Sequence, residues 1–340
     1  MPFTWSLPPD GALRIRELLE AAAARTGEAD WYAIAGTVRK LDPEDTRAIV
    51  GYGSWYEPAL RKPQSFPDLY VIVDDYERHH DRWLHAWMNR VLPPNVYFLW
   101  DDRDGRREVC GKYNVISASD LERECSPALR DLYNAGRMTK LVWIAWARDG
   151  TSRAWLIDRL ADAHRTLVPV ALAFVQERFG GDDFSLQLLG LSYRAEPRLE
   201  GWECVRALHA AHAGYYRELH GVLLESFARS TSLLAAEAGG FRKLASPRWV
   251  EVERLARRLI RRSRRRGYLR WPRIVLTEPN LVDLAASEAE RKAGVRLRIT
   301  PRLRRHPLLY GLPEFLRVLR ERNTRQRIGG DPDAGEDGGS

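Results

Sequence analysis

Two segments carry residue types suited to phosphate chemistry. They are Gly51-Tyr52-Gly53-Ser54 and, beginning thirteen residues beyond Ser54, Pro67 followed by Asp68-Leu69-Tyr70-Val71-Ile72-Val73-Asp74-Asp75. Glycine lets the backbone approach a ligand closely, and a Gly-Ser turn offers N–H and hydroxyl donors to phosphate oxygens. Carboxylates on a neighbouring strand can then hold magnesium beside those phosphates. Positions 68, 70, 72 and 74 share one face of a strand, so Asp68 and Asp74 lie on that face at opposite ends. Six residues of extended chain span roughly 20 Å, too far for one metal ion unless the strand ends or bends between them. Taken alone, a plain turn followed by a strand with solvated aspartates is the competing reading.

The surrounding pattern predicts the elements that hold these segments. Leu13, Ile15, Leu18, Leu19 and Ala22 recur at helical spacing over 12–26, stopping at Gly27. Residues 48–54 and 69–73 read as strands, 77–91 as a helix halted by Pro93-Pro94, and 96–100 and 107–116 as two more strands. Ser117 is placed to cap the next helix. From Ser152 the pattern turns mostly helical: a long segment to 179, a short piece at 184–193 and a helix over 202–230. Gly239-Gly240 precedes an arginine-rich helix over 250–266, and further helical stretches lie near 279–293 and 311–323. The polar tail from Gly329 cannot bury a core. The expected organisation is α+β: a domain at 1–146, a helical, winged-helix-like domain at 147–240, a basic helical region at 241–326 and a disordered tail at 327–340.

The 340 residues include 54 Lys plus Arg against 46 Asp plus Glu, a net charge of +8 that favours an anionic partner. Cys110, Cys125 and Cys204 lack C-x-x-C spacing, which argues against a disulfide framework or a zinc knuckle. The most apolar uncharged stretch, 166–176, is too short to span a bilayer, and 1–10 lacks the form of a secretory signal. The expectation is a cytoplasmic protein, soluble or peripheral to a membrane. His209-Ala210-Ala211-His212 lacks the glutamate of a zinc-protease helix, and His79, His80 and His85 read as solvated helix residues. No P-loop or Gly-x-Ser-x-Gly sequence occurs.

Six short segments, taken in order, resemble the mitochondrial matrix-side phosphatidate cytidylyltransferase family of the translocator-assembly-and-maintenance type. They are Tyr52-Gly53-Ser54; Asp68 with Val73-Asp74-Asp75; Lys112-Tyr113-Asn114-Val115-Ile116-Ser117; Leu132-Tyr133-Asn134-Ala135-Gly136-Arg137-Met138-Thr139-Lys140; Gly190-Leu191-Ser192-Tyr193; and Arg217-Glu218-Leu219-His220. Trp55 and Asn114 stand where that family has glycine, and Tyr70 stands where the wider superfamily has a second acid. Beyond about residue 240 the resemblance fades.

The resemblance implies a polymerase-beta-like nucleotidyltransferase domain, a mixed sheet with flanking helices, that transfers CMP from CTP to phosphatidate and releases pyrophosphate. It implies Mg2+ on Asp68 with Asp74 or Asp75 as catalytic carboxylates. Gly53 and Ser54 would cradle the triphosphate, with Lys112, Arg137 and Lys140 contacting phosphates. A lipid substrate requires a visit to the membrane surface, for which Arg257, Arg258, Arg261, Arg262 and Arg265 offer an electrostatic docking face. Two other readings compete: a nucleotidyltransferase with a different acceptor, and a non-enzymatic nucleic-acid-binding protein. The latter leaves the ordered segments unexplained, so no stable nucleic-acid partner is expected.

Overall fold

The computed structural model describes residues 5–24, 44–53, 66–103, 106–196, 201–270 and 297–306, with isolated positions at 36, 55, 60–61, 273, 282, 309–311, 313–314 and 316–318. The chain divides into two units, one of residues 1–197 and 202–270, the other of 198–201 and 271–340. The sequence boundaries expected at 146 and 240 fall inside the first unit.

The first unit is built on a five-stranded sheet of β1 (Thr46–Tyr52), β2 (Asp68–Val73), β3 (Asn95–Arg103), β4 (Arg106–Ser117) and β5 (Val142–Ala147), in the order β3-β4-β2-β1-β5. β2 runs parallel to β4, and every other pairing is antiparallel. Its unbroken apolar run, Leu69 to Val73, suits a central strand covered on both faces. Tyr70 and Ile72 face the larger core with Val50, Tyr52 and Ile116, whereas Leu69, Val71 and Val73 join Ile49, Val115 and Tyr76 on the opposite face. The architecture is therefore α+β, with a mixed sheet flanked by helices, as the sequence predicts. β5 has no counterpart among the expected strands; it pairs with β1 and closes that side of the sheet.

Helix α1 (Pro9–Ala23) precedes the sheet, and the helix expected over 77–91 is divided into α2 (Tyr76–His79) and α3 (Trp83–Val91). His80 is extended there, with φ −106°, which ends α2. Ser117 caps α4 (Ala118–Cys125) as expected, its hydroxyl accepting from the Asp120 N–H. The one-turn α5 (Ala135–Met138) leads into β5 and then the long α6 (Gly150–Leu172), whose N-cap Asp149 accepts from the Ser152 N–H. The remaining elements are β6 (Arg178–Phe179), α7 (Gly181–Ala195), α8 (Trp202–Ala211), α9 (Ala213–Ser230), β7 (Leu234–Glu237), β8 (Gly240–Lys243) and α10 (Arg248–Arg270). The single helix expected over 202–230 breaks at His212.

β6 pairs with β8, which forms a hairpin with β7. The three strands form a small second sheet in the order β6-β8-β7. Leu156, Leu160 and Leu167 of α6 share one core with Ile15 and Leu19 of α1, Leu188 and Leu191 of α7, Leu223 and Phe227 of α9, and the sheet residues Val50 and Ile72. This common core makes residues on both sides of position 146 a single unit.

In the second unit the Thr300 hydroxyl caps a short helix, Pro301–Arg305, by accepting from the Leu303 N–H at 3.1 Å. The helix expected near 279–293 lies outside the described residues apart from position 282, and the tail at 327–340 lies wholly outside them.

Gly190 on α7 is covered by the Trp202 ring, where an added Cβ would sit 2.1 Å from Cη2. The part-buried Trp202 indole must shift to admit a methyl group, so overpacking here should be costly. Gly190→Ala is expected to lower the unfolding free energy by about 1–3 kcal/mol, read as a lower urea midpoint at unchanged slope; an unchanged midpoint would show that Trp202 swings away freely.

Candidate active site

The parallel register of β2 on β4 sets Asp68 opposite Lys112, and the antiparallel register of β1 on β2 sets Tyr52 opposite Asp68. Three of the resembling segments therefore meet at one end of the central strand. Lys112 Nζ lies 2.5 Å from Asp68 Oδ1, both side chains about one-quarter exposed. Gly53 closes this corner with φ +92°, a conformation unfavourable to L side chains, and an added Cβ would lie 3.4 Å from Asp68 Oδ2. The turn conformation is what calls for glycine, and the Asp68 carboxylate lies within contact distance beneath it. Ser54, the expected partner of Gly53, lies outside the described residues.

Beneath this corner is a buried polar layer. Asn114, at the position of the family's glycine, donates from Nδ2 to the Tyr52 hydroxyl at 2.9 Å and to the Leu69 carbonyl at 3.1 Å. Its Oδ1 accepts from the Tyr133 hydroxyl at 3.4 Å. The Tyr70 hydroxyl donates to Asn134 Oδ1 at 3.0 Å. Burial pushes the phenols of Tyr52 and Tyr70 well above their ordinary range, and the Asp68 charge adds to the effect on Tyr52. Both stay protonated at any physiological pH.

Arg137 lies in the same layer. Its guanidinium makes a two-pronged pair with Glu196, at 2.6 and 2.9 Å, donates to the Tyr133 carbonyl at 2.8 Å and rests 3.6 Å from the centroid of the Tyr133 ring. Burial opposes the charge, but the Glu196 carboxylate and the surrounding phenols outweigh it and hold the pKa above its ordinary value. Lys140 is buried, with Nζ 4.6 Å from the centroid of the Tyr193 ring. This contact joins the 132–140 segment to the Gly190-Leu191-Ser192-Tyr193 segment.

The structure does not bring Asp74 and Asp75 to this cluster. Asp74 follows the far end of β2, where Arg47 holds Oδ1 at 2.6 Å and Arg148 holds Oδ2 at 2.7 Å. These pairs tie β1 and the end of β5 to the end of β2. Asp75 is the N-cap of α2, accepting from the N–H groups of Glu77 and Arg78. Burial would raise its pKa, but those amide hydrogen bonds lower it further. Asp68 opens β2 and Asp74 and Asp75 follow its last residue, so the carboxylates expected to share one metal stand at opposite ends of the strand. Among the described residues, no three His, Cys, Asp or Glu side chains gather as a metal site. Asp68 still fits magnesium of the kind that takes one or two protein carboxylates and completes its shell with water and substrate phosphates.

The five arginines of α10 expected to meet a membrane, Arg257, Arg258, Arg261, Arg262 and Arg265, are all exposed. Two others on that helix serve the fold. Arg266 and Arg270 both pair with the buried Asp131, at 2.5 and 2.7 Å, immediately before the 132–140 segment. Burial would raise the Asp131 pKa, and the two arginines hold it below its ordinary value instead. Arg217 and Glu218 form exposed surface pairs, with Asp182 and Arg14 respectively. His209 Nε2 lies 3.4 Å from Asp182, and the ring stacks on Tyr216. His80 is driven down to about 3 by burial and by its histidine neighbours, and so is neutral. The three cysteines are free.

Sequence reasoning missed Glu196, the partner of Arg137, because nothing at that position marks it as different from any surface glutamate. Tyr133 was visible only as part of a segment, without its role. Arg47 and Arg148 likewise carry no local signal, since they find Asp74 only once the strands pair.

No protein-family model matches the chain. It is similar to curated proteins named phosphatidate cytidylyltransferase, mitochondrial. The Mus musculus protein is 25% identical over 205 residues, covering 54% of this chain and 60% of the mouse protein. The Homo sapiens protein is 25% identical over 228 residues, covering 60% of this chain and 49% of its own length. The Bos taurus protein is 28% identical over 204 residues, covering 54% and 59%. The chain thus spans about half to three-fifths of the length of the curated relatives it matches.

Proposed function

We propose that this chain is a cytidylyltransferase that moves CMP from CTP to phosphatidate, making CDP-diacylglycerol and pyrophosphate. The observation that carries the reading is the convergence of Gly53, Asp68, Lys112, Asn114 and the Tyr133–Arg137 turn, drawn from four distant segments, on one corner of the sheet. These are among the segments whose sequences resemble the mitochondrial phosphatidate cytidylyltransferase family.

In the proposed reaction a phosphatidate phosphate oxygen attacks the α-phosphorus of CTP in line with the departing pyrophosphate. One P–O bond forms as the α–β bridge bond breaks. Such transfers depend on alignment and on neutralising the phosphate charges more than on covalent help from the protein. Bound magnesium would supply charge neutralisation at the bridging oxygens. Asp68 is the residue that would hold it. Gly53 lets the turn carry triphosphate without a side chain in the way, and Lys112 supplies a compact positive charge next to Asp68. Asn114 and Tyr133 hold Tyr52 in place under the corner. Arg137, committed to Glu196, contributes by fixing the Tyr133 turn and by adding positive potential from below rather than by gripping phosphate directly.

A lipid acceptor brings the protein to a bilayer. Among the described residues no helix is long and apolar enough to cross one. The exposed arginines of α10 give a surface on which each basic residue contributes roughly 1 kcal/mol near an anionic membrane.

The reading is tested with labelled CTP, magnesium and phosphatidate vesicles, scoring a cytidylylated lipid. Asp68→Asn is expected to reduce product formation by roughly a hundredfold or more and to abolish the response to magnesium titration. Asp74→Asn, by contrast, should leave turnover within a few-fold and cost about 1 kcal/mol of stability through its lost, partly exposed pairs. Equal loss of turnover in both variants, with both folded, would return Asp74 to the metal site. Chelation should stop the wild-type reaction, and restored magnesium should recover it. Pyrophosphate release with no lipid product would transfer the activity to another acceptor.

A further inference from the structure

Helix α3 exposes four of its nine residues: Trp83, Trp87, Arg90 and Val91. Trp83 is 77% exposed, Trp87 54% and Val91 53%, and the spacing i, i+4, i+8 puts them on one stripe. The opposite side of the helix is seated in the fold through Ala86, Met88 and Asn89. Two exposed tryptophans within a single helix are costly in water, and nothing in the described core calls for them. Arg90 borders the stripe and pairs with Glu77, and Arg78 and Arg82 are exposed just before it, with Asp81 between them.

The helix does not stand apart from the arginine face. Arg270, at the end of α10, donates to the Pro93 carbonyl at 2.8 Å, two residues beyond Val91. Tyr268 and Leu269, also exposed, lie on that last turn, and Arg264 and Arg265 precede them. Tryptophan and tyrosine are the side chains that settle at the boundary between lipid headgroups and acyl chains, and flanking arginines suit anionic headgroups. An aromatic stripe anchored next to a run of exposed arginines fits the interfacial mode of binding, in which apolar burial and charge attraction act together.

We propose that the Trp83–Trp87–Val91 stripe of α3 is a lipid-insertion surface that seats the protein on an anionic bilayer, with the arginine face of α10 beside it. The proposal builds on the lipid-substrate reading but concerns a surface away from the Asp68 corner. Tryptophan insertion supplies depth and residence, and the arginines supply attraction that salt weakens. Arginine contacts alone would be lost at high salt, whereas binding that includes the stripe persists in part.

The experiment uses the full chain, with vesicles of phosphatidylcholine alone and of phosphatidylcholine with phosphatidylglycerol, an anionic lipid that is not the proposed substrate. Sedimentation should show binding to the anionic vesicles, reduced about tenfold or more in W83Q/W87Q. Arg257→Gln with Arg261→Gln should weaken binding chiefly at low salt. Circular dichroism and the thermal midpoint establish that the variants are folded; a single W87Q variant serves if the double variant is not. Turnover is measured separately with a short-chain, monomerically soluble phosphatidate, for which W83Q/W87Q should equal wild type while turnover of vesicle phosphatidate falls. If no phosphatidate is turned over by the wild type yet vesicle binding still depends on the tryptophans, the surface stands and the cytidylyltransferase reading fails. If soluble phosphatidate is turned over but W83Q/W87Q binds vesicles as the wild type does, the surface proposal is overturned and the reading stands. A concentration-dependent dimer in sedimentation velocity, abolished by W83Q/W87Q, would also overturn it by assigning the stripe to a second copy of the chain.

Discussion

A one-residue slip of β2 against its neighbours would turn Asp68, Tyr70 and Ile72 to the opposite face of the sheet and take the site with them. The register is held from both sides: β1 sets Tyr52 against Asp68, and β4 sets Lys112 there. Burial on both faces fixes it further, because Leu69, Val71 and Val73 fill one core while Tyr70 and Ile72 fill the other. At the far end Asp74 is clamped by Arg47 from β1 and by Arg148 just after β5. The two carboxylates of one strand therefore perform different work. Asp68 faces the polar corner, and Asp74 locks the strand that presents it.

The polar layer under that corner would be unstable without its pairing. A buried guanidinium lacking a partner is far more costly than a paired one, and the two-pronged contact with Glu196 is the geometry that offsets its desolvation. Once held, Arg137 fixes Tyr133, and Tyr133 in turn reaches Asn114, which holds Tyr52. The chain of contacts leads from the end of α7, at Glu196, to the strand that carries the Gly53 turn. The position of the turn thus depends on helices well beyond the residues that would meet a nucleotide. Residues on either side of position 146 also share one core, so the polar corner and the helical region stabilise one another.

Much of this was legible in the sequence, for identifiable reasons. The strand at Asp68–Val73, the Gly53 turn and the Ser117 cap rest on local chemistry: an apolar run, a glycine, a hydroxyl three residues before an amide. Strand arithmetic had already set Asp68 and Asp74 roughly 20 Å apart, and the structure keeps them apart. For Asp74 to join Asp68 on one metal ion the strand would have to end or bend between them. β5 escaped notice because a six-residue apolar run reads equally as buried helix or strand until its neighbour is known. The helix over 77–91 hid a break because His80, Asp81 and Arg82 include no glycine or proline to mark one. Glu196 was invisible because a salt bridge spanning 59 positions leaves no trace in local pattern.

The arginines of α10 show how composition alone misassigns roles within a single helix. A run rich in arginine suggests one function, yet the helix divides by face. Positions 252, 256, 259, 263, 267 and 270 are buried along one side, where Ser263 accepts from the Leu132 N–H and Arg270 reaches Asp131. Arg257, Arg258, Arg261, Arg262 and Arg265 occupy the other side, in solvent. The buried side fastens the helix to the loop that introduces Tyr133 and Arg137, so the exposed side is held in fixed orientation relative to the polar corner. A charged surface on a free tail would attract anions without aligning anything. Carried on an element bolted to the polar corner, the same charges keep a fixed direction, and α3, tied to the end of that helix through the Arg270–Pro93 hydrogen bond, shares that frame with the proposed tryptophan surface.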